Sequence, residues 1–183
     1  MTETFLNGFT YTGSFTKSEK LPNLINFDWF CDKKTQKDIR GRVYLFVEED
    51  KFGVKKILKI GKSSDKGGIK GTFGFYYTAL SGTPSQSRFN LHHLIHNKIL
   101  NGSKILAYVK FVDSIECEIY GFSSSIKQLI PLDITYTEKQ HLDDYKLIMG
   151  KYPEWNFQEN SEEIDHEIMK NFGLFLQNKK TKI

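Results

Sequence analysis

A polar loop in the middle of the chain has the residue types that contact phosphate. It leads directly into a segment of helical periodicity and contains Lys62, Ser63, Ser64 and Lys66, with Lys70 in the first turn that follows. The unpaired N–H groups of a helix N-terminus attract anions, and lysine and serine side chains are common contacts of the DNA backbone. The loop is therefore either a DNA-binding element or an ordinary solvated surface loop.

Two histidines, His92 and His96, stand four residues apart in a second helical segment, so they share one face of that helix. This spacing could hold zinc, but a zinc site needs further ligands and the sequence shows no evident third one. We therefore expect a surface pair, with His92 facing DNA.

Arginine is scarce in this chain. Arg40, Arg42 and Arg88 are the arginines among 26 basic residues. Lysine supplies most of the plain positive charge, so a retained arginine is a candidate for a position that needs the planar guanidinium, such as a bidentate phosphate contact. A biased base composition of the gene would produce the same skew.

The composition is that of one soluble globular domain, with 183 residues of which 39% are hydrophobic and 26% charged. The net charge of +4 fits a nucleic-acid partner without requiring one. Cys31 and Cys117 form no CxxC pair, which argues against a disulfide framework or a thiolate zinc site. Because no apolar run approaches the roughly 20 residues of a membrane span and the N-terminus lacks signal-peptide features, we expect a cytoplasmic protein without membrane contact.

Hydrophobic periodicity predicts the elements that must position the polar residues. Val43–Val47 and Val54–Ile60 are β-rich runs separated by a polar turn with Gly53, which is the pattern of a β-hairpin. Two helices should follow, over Ile69–Leu80 and Phe89–Leu100.

The second half of the chain continues with a strand over Lys104–Val112, and Glu116–Phe122 is a fourth strand or an extension of the sheet edge. A helix should begin near Thr137 and end at Gly150, and a last helix should span Ser161–Leu176. The predicted fold class is α/β in the α+β sense, with a small, mostly antiparallel central sheet flanked by helices.

Three motifs in this order of elements resemble the GIY-YIG nuclease superfamily. Arg42-Val43-Tyr44 stands where the family has its first tripeptide, and Lys59-Ile60-Gly61 stands where it has its second. The segment from Glu138 to Asn156 resembles the family's helix with a metal-binding glutamate and its closing Pro-x-Trp-Asn sequence. Lysine in place of the second motif's tyrosine is typical of a restriction-enzyme branch of the superfamily.

The resemblance implies a site for phosphodiester hydrolysis. Glu138 would hold Mg²⁺ or Mn²⁺, Tyr44 would orient or deprotonate the attacking water, and Lys59 would lower the pKa of Tyr44. Glu138 has a competing interpretation, because Thr135 stands three residues before it and the pair has the form of a capping box.

The arginine that the family carries on its first helix is missing, since the chain offers only Lys70 and Thr72 at that point. Arg88 is therefore the candidate for the phosphate contact, with Lys70 as its alternative, unless Arg88 is an ordinary surface residue flanking a helix. Asn156 in the closing motif either stabilises the edge of the site, contacts DNA phosphate or is a plain turn residue.

The resemblance also divides the chain into three segments. Residues 41–160 would form the nuclease core, with an insertion around 62–102. Residues 1–40 would be an N-terminal arm, largely irregular with one or two short elements, and residues 161–183 a C-terminal helix with a basic tail.

We expect a metal-dependent endonuclease of the type II restriction kind that acts on duplex DNA. A homing nuclease would carry a long linker and a separate DNA-binding module, whereas fewer than thirty residues follow Asn156. A phage or repair-associated nuclease and a catalytically inactive nucleic-acid-binding module of the same fold are the alternatives. Palindromic cutting would favour a homodimer.

Overall fold

A five-stranded sheet with the order β2-β1-β5-β3-β4 forms the centre of the molecule, and every neighbouring pair of strands is antiparallel. The computed structural model describes residues 2–19, 21, 23–161 and 166–180. The strands are β1 (Thr10–Lys17), β2 (Ile25–Trp29), β3 (Arg42–Glu49), β4 (Lys55–Ser63), β5 (Lys104–Phe111), β6 (Ser114–Tyr120) and β7 (Ser125–Pro131). The helices are α1 (Thr2–Phe5), α2 (Lys33–Gln36), α3 (Gly68–Tyr77), α4 (Gln86–Leu100), α5 (Ile134–Met149), α6 (Phe157–Asn160) and α7 (His166–Lys180). The predicted fold class, an antiparallel sheet flanked by helices, is confirmed.

Strand β3 is buried on both faces because helices pack against each side of the sheet. Tyr44 and Phe46 join an aromatic-rich core with Phe73 of α3. Val43, Leu45 and Val47, which point to the other face of the sheet, join a second core with Leu142 of α5. The continuous apolar run in this strand therefore reflects two cores rather than one buried and one solvated face.

The prediction of a largely irregular arm for residues 1–40 is wrong, because β1 and β2 extend the central sheet through the pairing of β1 with β5. The register between β1 and β5 shifts between Tyr11 and Gly13. A bulge of this kind interrupts the strict alternation of apolar and polar residues by which a strand is recognised from sequence.

Residues Glu116–Phe122 do not extend the edge of the central sheet, contrary to one of the two predicted interpretations. Strand β6 pairs with β7 to form a separate two-stranded hairpin. Its tip is closed by a hydrogen bond from Gly121 N–H to Ser124 C=O, at 2.7 Å.

The helices lie close to their predicted positions, with two shifts that matter for the site. Helix α4 begins at Gln86 after its N-cap Ser85, so Arg88 lies inside the first turn rather than before it. Helix α5 begins at Ile134 and ends as predicted at Gly150, which takes the left-handed conformation with φ of 76°. The predicted start of the last helix at Ser161 is followed by residues 162–165, which lie outside the described part of the chain.

None of the helices in the described ranges combines the length and the apolar character that crossing a lipid bilayer requires.

Candidate active-site cleft

Four side chains predicted to be catalytic line one cleft of about 490 Å³, although they come from four different elements. Tyr44 belongs to β3, Lys59 to β4, Arg88 to α4 and Glu138 to α5. Two residues predicted to bind DNA, Lys62 and Asn156, line the same cleft. The remaining lining residues are Tyr76, Ser85, Ser87, Leu91, Trp155, Phe157, Gln158 and Glu159.

Tyr44 is held at the base of the cleft by its neighbours on two elements. Its cross-strand partner on β4 is Gly61, and a Cβ at Gly61 would lie 2.5 Å from the Tyr44 ring, so the close approach requires glycine. The Tyr44 hydroxyl lies 2.6 Å from the hydroxyl of Tyr76 on α3, and both side chains are buried. The tyrosine pair therefore fixes the phenol of Tyr44 in one position.

The prediction that Lys59 lowers the pKa of Tyr44 is wrong. Burial raises the pKa of Tyr44 well above its usual value of 10.0, and the neighbouring Tyr76 and the carboxylate of Glu138 raise it further. Tyr44 is therefore neutral at physiological pH.

Tyr76 is a cleft residue that sequence analysis missed. Burial raises its pKa as well, although the hydrogen bond with Tyr44 and the positive charge of Arg88 oppose that rise. Its position in the run Phe75-Tyr76-Tyr77 gave no signal, because aromatic residues at helical spacing usually pack in a core.

Glu138 makes an ion pair across the cleft, with 2.6 Å between its Oε2 and the Nζ of Lys62. The glutamate side chain is 15% exposed and the lysine side chain 36%. The capping-box interpretation is wrong, because the N-cap of α5 is Asp133, whose carboxylate accepts from the N–H of Thr135.

Glu138 could bind a divalent cation only in a site with few protein ligands. Within the described ranges, no three or more His, Cys, Asp or Glu side chains lie close enough together to hold a metal ion. Mg²⁺ is often held by one or two carboxylates, with waters and substrate phosphate completing its shell, so Glu138 and the open cleft fit that ion. The ammonium group of Lys62 now neutralises this carboxylate, and a cation would compete with it.

Lys59 is half-buried in the wall of the cleft, where burial lowers the pKa of its ammonium group. The carboxylates of Glu159 and Glu138 oppose that shift. Lys59 therefore releases its proton more readily than a solvent-exposed lysine.

Arg88 projects from the first turn of α4 and is exposed at the mouth of the cleft. The centre of its guanidinium lies 3.9 Å from the centroid of the Phe75 ring on α3, a cation–π contact. The guanidinium of Arg88, a residue of α4, is thus held over the surface of α3.

Asn156 does not offer its amide to DNA, because it is buried and bonded on both sides to the backbone of Ile60. Its Oδ1 accepts from Ile60 N–H and its Nδ2 donates to Ile60 C=O, both at 2.9 Å. The structure therefore favours the predicted role at the edge of the site over a phosphate contact.

The predicted phosphate-binding loop is only partly at the cleft. Ser63 and Ser64 line a neighbouring concavity of about 390 Å³ that shares Lys62 with the cleft. The Ser63 hydroxyl accepts from Asp65 N–H at 3.1 Å and from the Thr72 hydroxyl at 2.8 Å, so it also organises the loop. Lys66 and Lys70 are exposed and are lining residues of neither cavity.

The prediction that His92 faces DNA is wrong. The side chain is fully buried, with Nδ1 2.8 Å from the carbonyl oxygen of Tyr76 and Nε2 3.2 Å from that of Asn23. Burial lowers the pKa of this histidine. His92 links α4 to the backbone of two other segments.

Two nucleases are among the solved structures to which this chain is similar. A point mutant of bacteriophage T4 EndoII aligns with a TM-score of 0.48 at 17% identity, covering 85% of this chain and 98% of that one. The restriction endonuclease HPY188I, in complex with product DNA, aligns with a TM-score of 0.44 at 20% identity, covering 82% of this chain and 81% of that one. No family model and no curated protein matches the sequence.

We expect Asn156→Ala to lower the free energy of unfolding by about 2–3 kcal/mol, because two buried hydrogen bonds are lost and Ile60 keeps an unpaired N–H and C=O. Urea denaturation measures this effect. Asn160→Ala is the matched control: Asn160 makes one partly buried hydrogen bond, to Pro153 C=O at 2.9 Å, so its loss should cost about 1 kcal/mol. Equal midpoints for the two variants would show that Asn156 does not hold the cleft wall.

Proposed function

We propose that this chain is a metal-dependent endonuclease that hydrolyses phosphodiester bonds in duplex DNA, of the type II restriction kind. The observation that carries the proposal is the cleft that brings Tyr44, Lys59, Arg88 and Glu138 together. The ordered motifs that resemble the GIY-YIG superfamily are the motifs that supply three of these four side chains. The assignment to that superfamily is part of the proposal.

Hydrolysis of a phosphodiester needs a nucleophilic water, stabilisation of the charge on the phosphate, and help for the leaving oxygen. Glu138 would hold Mg²⁺ or Mn²⁺, and the ion would supply charge stabilisation at the phosphate. Lys62 pairs with Glu138 in the free protein, and its ammonium would be available to phosphate oxygens once a cation occupies the carboxylate.

Tyr44 and Lys59 differ in what they can do with a proton. A deprotonated Tyr44 would place a second negative charge near Glu138, which is one reason why its pKa is raised. A deprotonated Lys59 is neutral, and burial already favours that form. We therefore assign proton acceptance to Lys59, and to Tyr44 the orientation of the attacking water through its hydroxyl.

Arg88 is suited to stabilise the phosphate as its charge increases. A guanidinium makes two parallel hydrogen bonds to phosphate oxygens, which a lysine ammonium cannot do. Its contact with Phe75 limits the orientations of the side chain, so less freedom is lost when the phosphate binds.

One observation favours a catalytically inactive nucleic-acid-binding module as the second candidate. The ion pair between Lys62 and Glu138 neutralises the carboxylate on which metal binding depends. A protein that had lost its catalytic ion could keep such a pair as a structural contact while lysines and Arg88 still bound the DNA backbone.

We expect the wild-type chain to cut plasmid DNA with Mg²⁺ and to lose this activity in EDTA, and Glu138→Gln to abolish cutting while DNA binding persists. The reason is that the carboxylate holds the ion and not the DNA. Glu154→Gln is the matched control, since Glu154 makes an equally short ion pair, with Lys56 at 2.6 Å, outside the cleft. Normal cutting by Glu138→Gln would contradict the metal assignment, and a wild-type chain that binds but never cuts would support the inactive module.

We expect Lys59→Met to reduce the cleavage rate and to flatten its dependence on pH. In the wild type the rate should rise with pH, because the neutral amine is the active form, and should level off below the ordinary lysine pKa of 10.5, since burial lowers the folded-state pKa. A bound cation would lower that pKa further, in the same direction. Single-turnover rates across pH measure this, with Lys56→Met as a control. A Lys59→Met profile with the wild-type slope would exclude Lys59 as the base.

We expect Arg88→Lys to reduce the single-turnover rate by about a hundred-fold, because an ammonium cannot replace a bidentate guanidinium on phosphate. Arg40→Lys is the control, since Arg40 is an exposed arginine paired with Asp38 and Asp113 away from the cleft. If Arg88→Lys regained the full rate at saturating enzyme or lower salt, Arg88 would be an ordinary phosphate contact. Lys70→Ala would then test the remaining candidate.

A further inference from the structure

Arg42 is a charged side chain in the interior of the protein. It is fully buried at the start of β3, where its cross-strand partners are Ser63 on β4 and Phe111 on β5. Burial lowers the pKa of its guanidinium, and the carboxylates of Asp65 and Asp38 oppose that shift. Arginine keeps its proton even in protein interiors. A positive charge is therefore buried beside the end of β4.

The Arg42 guanidinium makes two hydrogen bonds, and both go to backbone carbonyl groups. Nη1 donates to Asp38 C=O and Nη2 donates to Asp65 C=O, each at 2.6 Å. Within the described residues, its buried Nε has no hydrogen-bond partner and no carboxylate forms an ion pair with it. The Asp38 carboxylate pairs with Arg40 instead, and the Asp65 carboxylate accepts from Gly67 N–H at 2.7 Å. A buried charge without an ion pair costs stability, which makes Arg42 a candidate for a functional role.

The Asp65 carbonyl oxygen anchors the loop between β4 and α3. It also accepts from Gly68 N–H at 3.0 Å, so Arg42 and the start of α3 hold the same oxygen. Gly68 has φ of 73°, and a Cβ there would lie 2.5 Å from the carbonyl oxygen of Gln36, so the loop packs directly on the end of α2. Arg42 joins these two segments, through Asp38 on one side and Asp65 on the other.

The loop held by Arg42 forms most of the concavity beside the cleft. This concavity of about 390 Å³ is lined by Lys62, Ser63, Ser64, Asp65, Phe75 and Ile134, and Lys62 lines the cleft as well. Residues 62–67 contain two lysines and one aspartate, a net charge of +1, which Arg42 raises to +2. A positively charged concavity with hydroxyl groups is suited to a phosphate of the DNA backbone.

We propose that this concavity binds the phosphate next to the scissile one, and that Arg42 is the positioning residue that keeps the loop in its binding conformation. The inference rests on the proposed function, because that function assigns the scissile phosphate to the cleft. Arg42 is buried and touches no DNA itself; it acts through Asp65, and its charge is screened less in the interior than in water. The Asp65 carboxylate is turned to α3, since it bonds Gly67 N–H and would clash with a Cβ at Gly71.

The test is the binding of a mixed-sequence DNA duplex in EDTA, measured by fluorescence anisotropy over a series of salt concentrations. We expect Arg42→Lys, which keeps the charge but cannot hold two carbonyl groups in the same way, to raise the Kd about ten-fold with an unchanged salt dependence. Arg42→Met should weaken binding further and reduce the slope of log Kd against log salt by about one. In both variants, amide hydrogen exchange over residues 62–68 should become faster while that of β3 and β5 stays slow.

Thr12→Val controls for a general loss of stability. It removes a buried hydrogen bond, from the Thr12 hydroxyl to Ala107 C=O at 2.9 Å, on a strand that is not adjacent to β3. Its DNA binding should equal that of the wild type. Wild-type Kd in Arg42→Lys, or an equal loss of binding in Thr12→Val, would overturn the role of Arg42.

Ser64→Asp tests the concavity from its surface, even where an Arg42 variant does not fold. Ser64 is exposed, and a carboxylate there should repel phosphate and raise the Kd about ten-fold. Ser123→Asp, in the exposed turn between β6 and β7, is the matched control and should have a smaller effect. Equal effects of the two substitutions would overturn the placement of the phosphate. A chain that binds DNA with this dependence on Arg42 but never cuts it would contradict the proposed hydrolysis and still support the phosphate site.

Discussion

The backbone N–H and C=O groups on the outer edge of β4 need hydrogen-bond partners, and the segment that supplies those partners also forms a wall of the cleft. β4 lies at the edge of the five-stranded sheet, where its outward N–H and C=O groups have no further strand to pair with. The segment after α5 takes that place: Trp155 N–H donates to Leu58 C=O at 2.7 Å, and the Asn156 amide bonds both backbone groups of Ile60. These contacts close the cleft wall beside Lys59 and attach the segment after α5 to β4, the strand that carries Lys59.

An irregularity in the same strand directs Lys59 into the cleft. The register between β3 and β4 shifts between Phe46 and Val47, and Leu58 is the additional residue on β4. Lys59 is opposite Phe46, so the two share a face with Tyr44, while Leu58 is buried in the core on that same side. Bulges are common beside active sites because they redirect a side chain without ending the strand.

The sequence could predict the elements whose patterns are local. The β3–β4 hairpin, the helices of the middle region and the end of α5 at Gly150 all follow from periodicity, glycine and caps, and the motif residues Tyr44, Lys59 and Glu138 do meet in space. Contacts made by backbone atoms of distant segments could not be predicted. His92 lies against the carbonyl groups of Tyr76 and Asn23, and Asn156 against the backbone of Ile60, and no side-chain pattern encodes such partners. Strand β1 was missed for a related reason, since the bulge in its pairing with β5 hides the alternation that marks a strand.

Under the proposed function, Arg88 would take the place of the arginine that the GIY-YIG family carries on its first helix, a replacement that a sequence pattern cannot express. Helix α3 has Thr72 near that position, and the buried Thr72 hydroxyl is hydrogen-bonded to the Ser63 hydroxyl and the Gly68 carbonyl, so this residue supplies no positive charge to the cleft. Arg88 belongs to α4, but its guanidinium lies over Phe75 of α3. The positive charge thus lies on the surface of α3 although α4 supplies it, and it opposes the rise in the pKa of Tyr76 that burial causes. For the proposed reaction, the position of the guanidinium in space matters rather than its position in the sequence, and two packed helices offer more than one residue from which it can be placed.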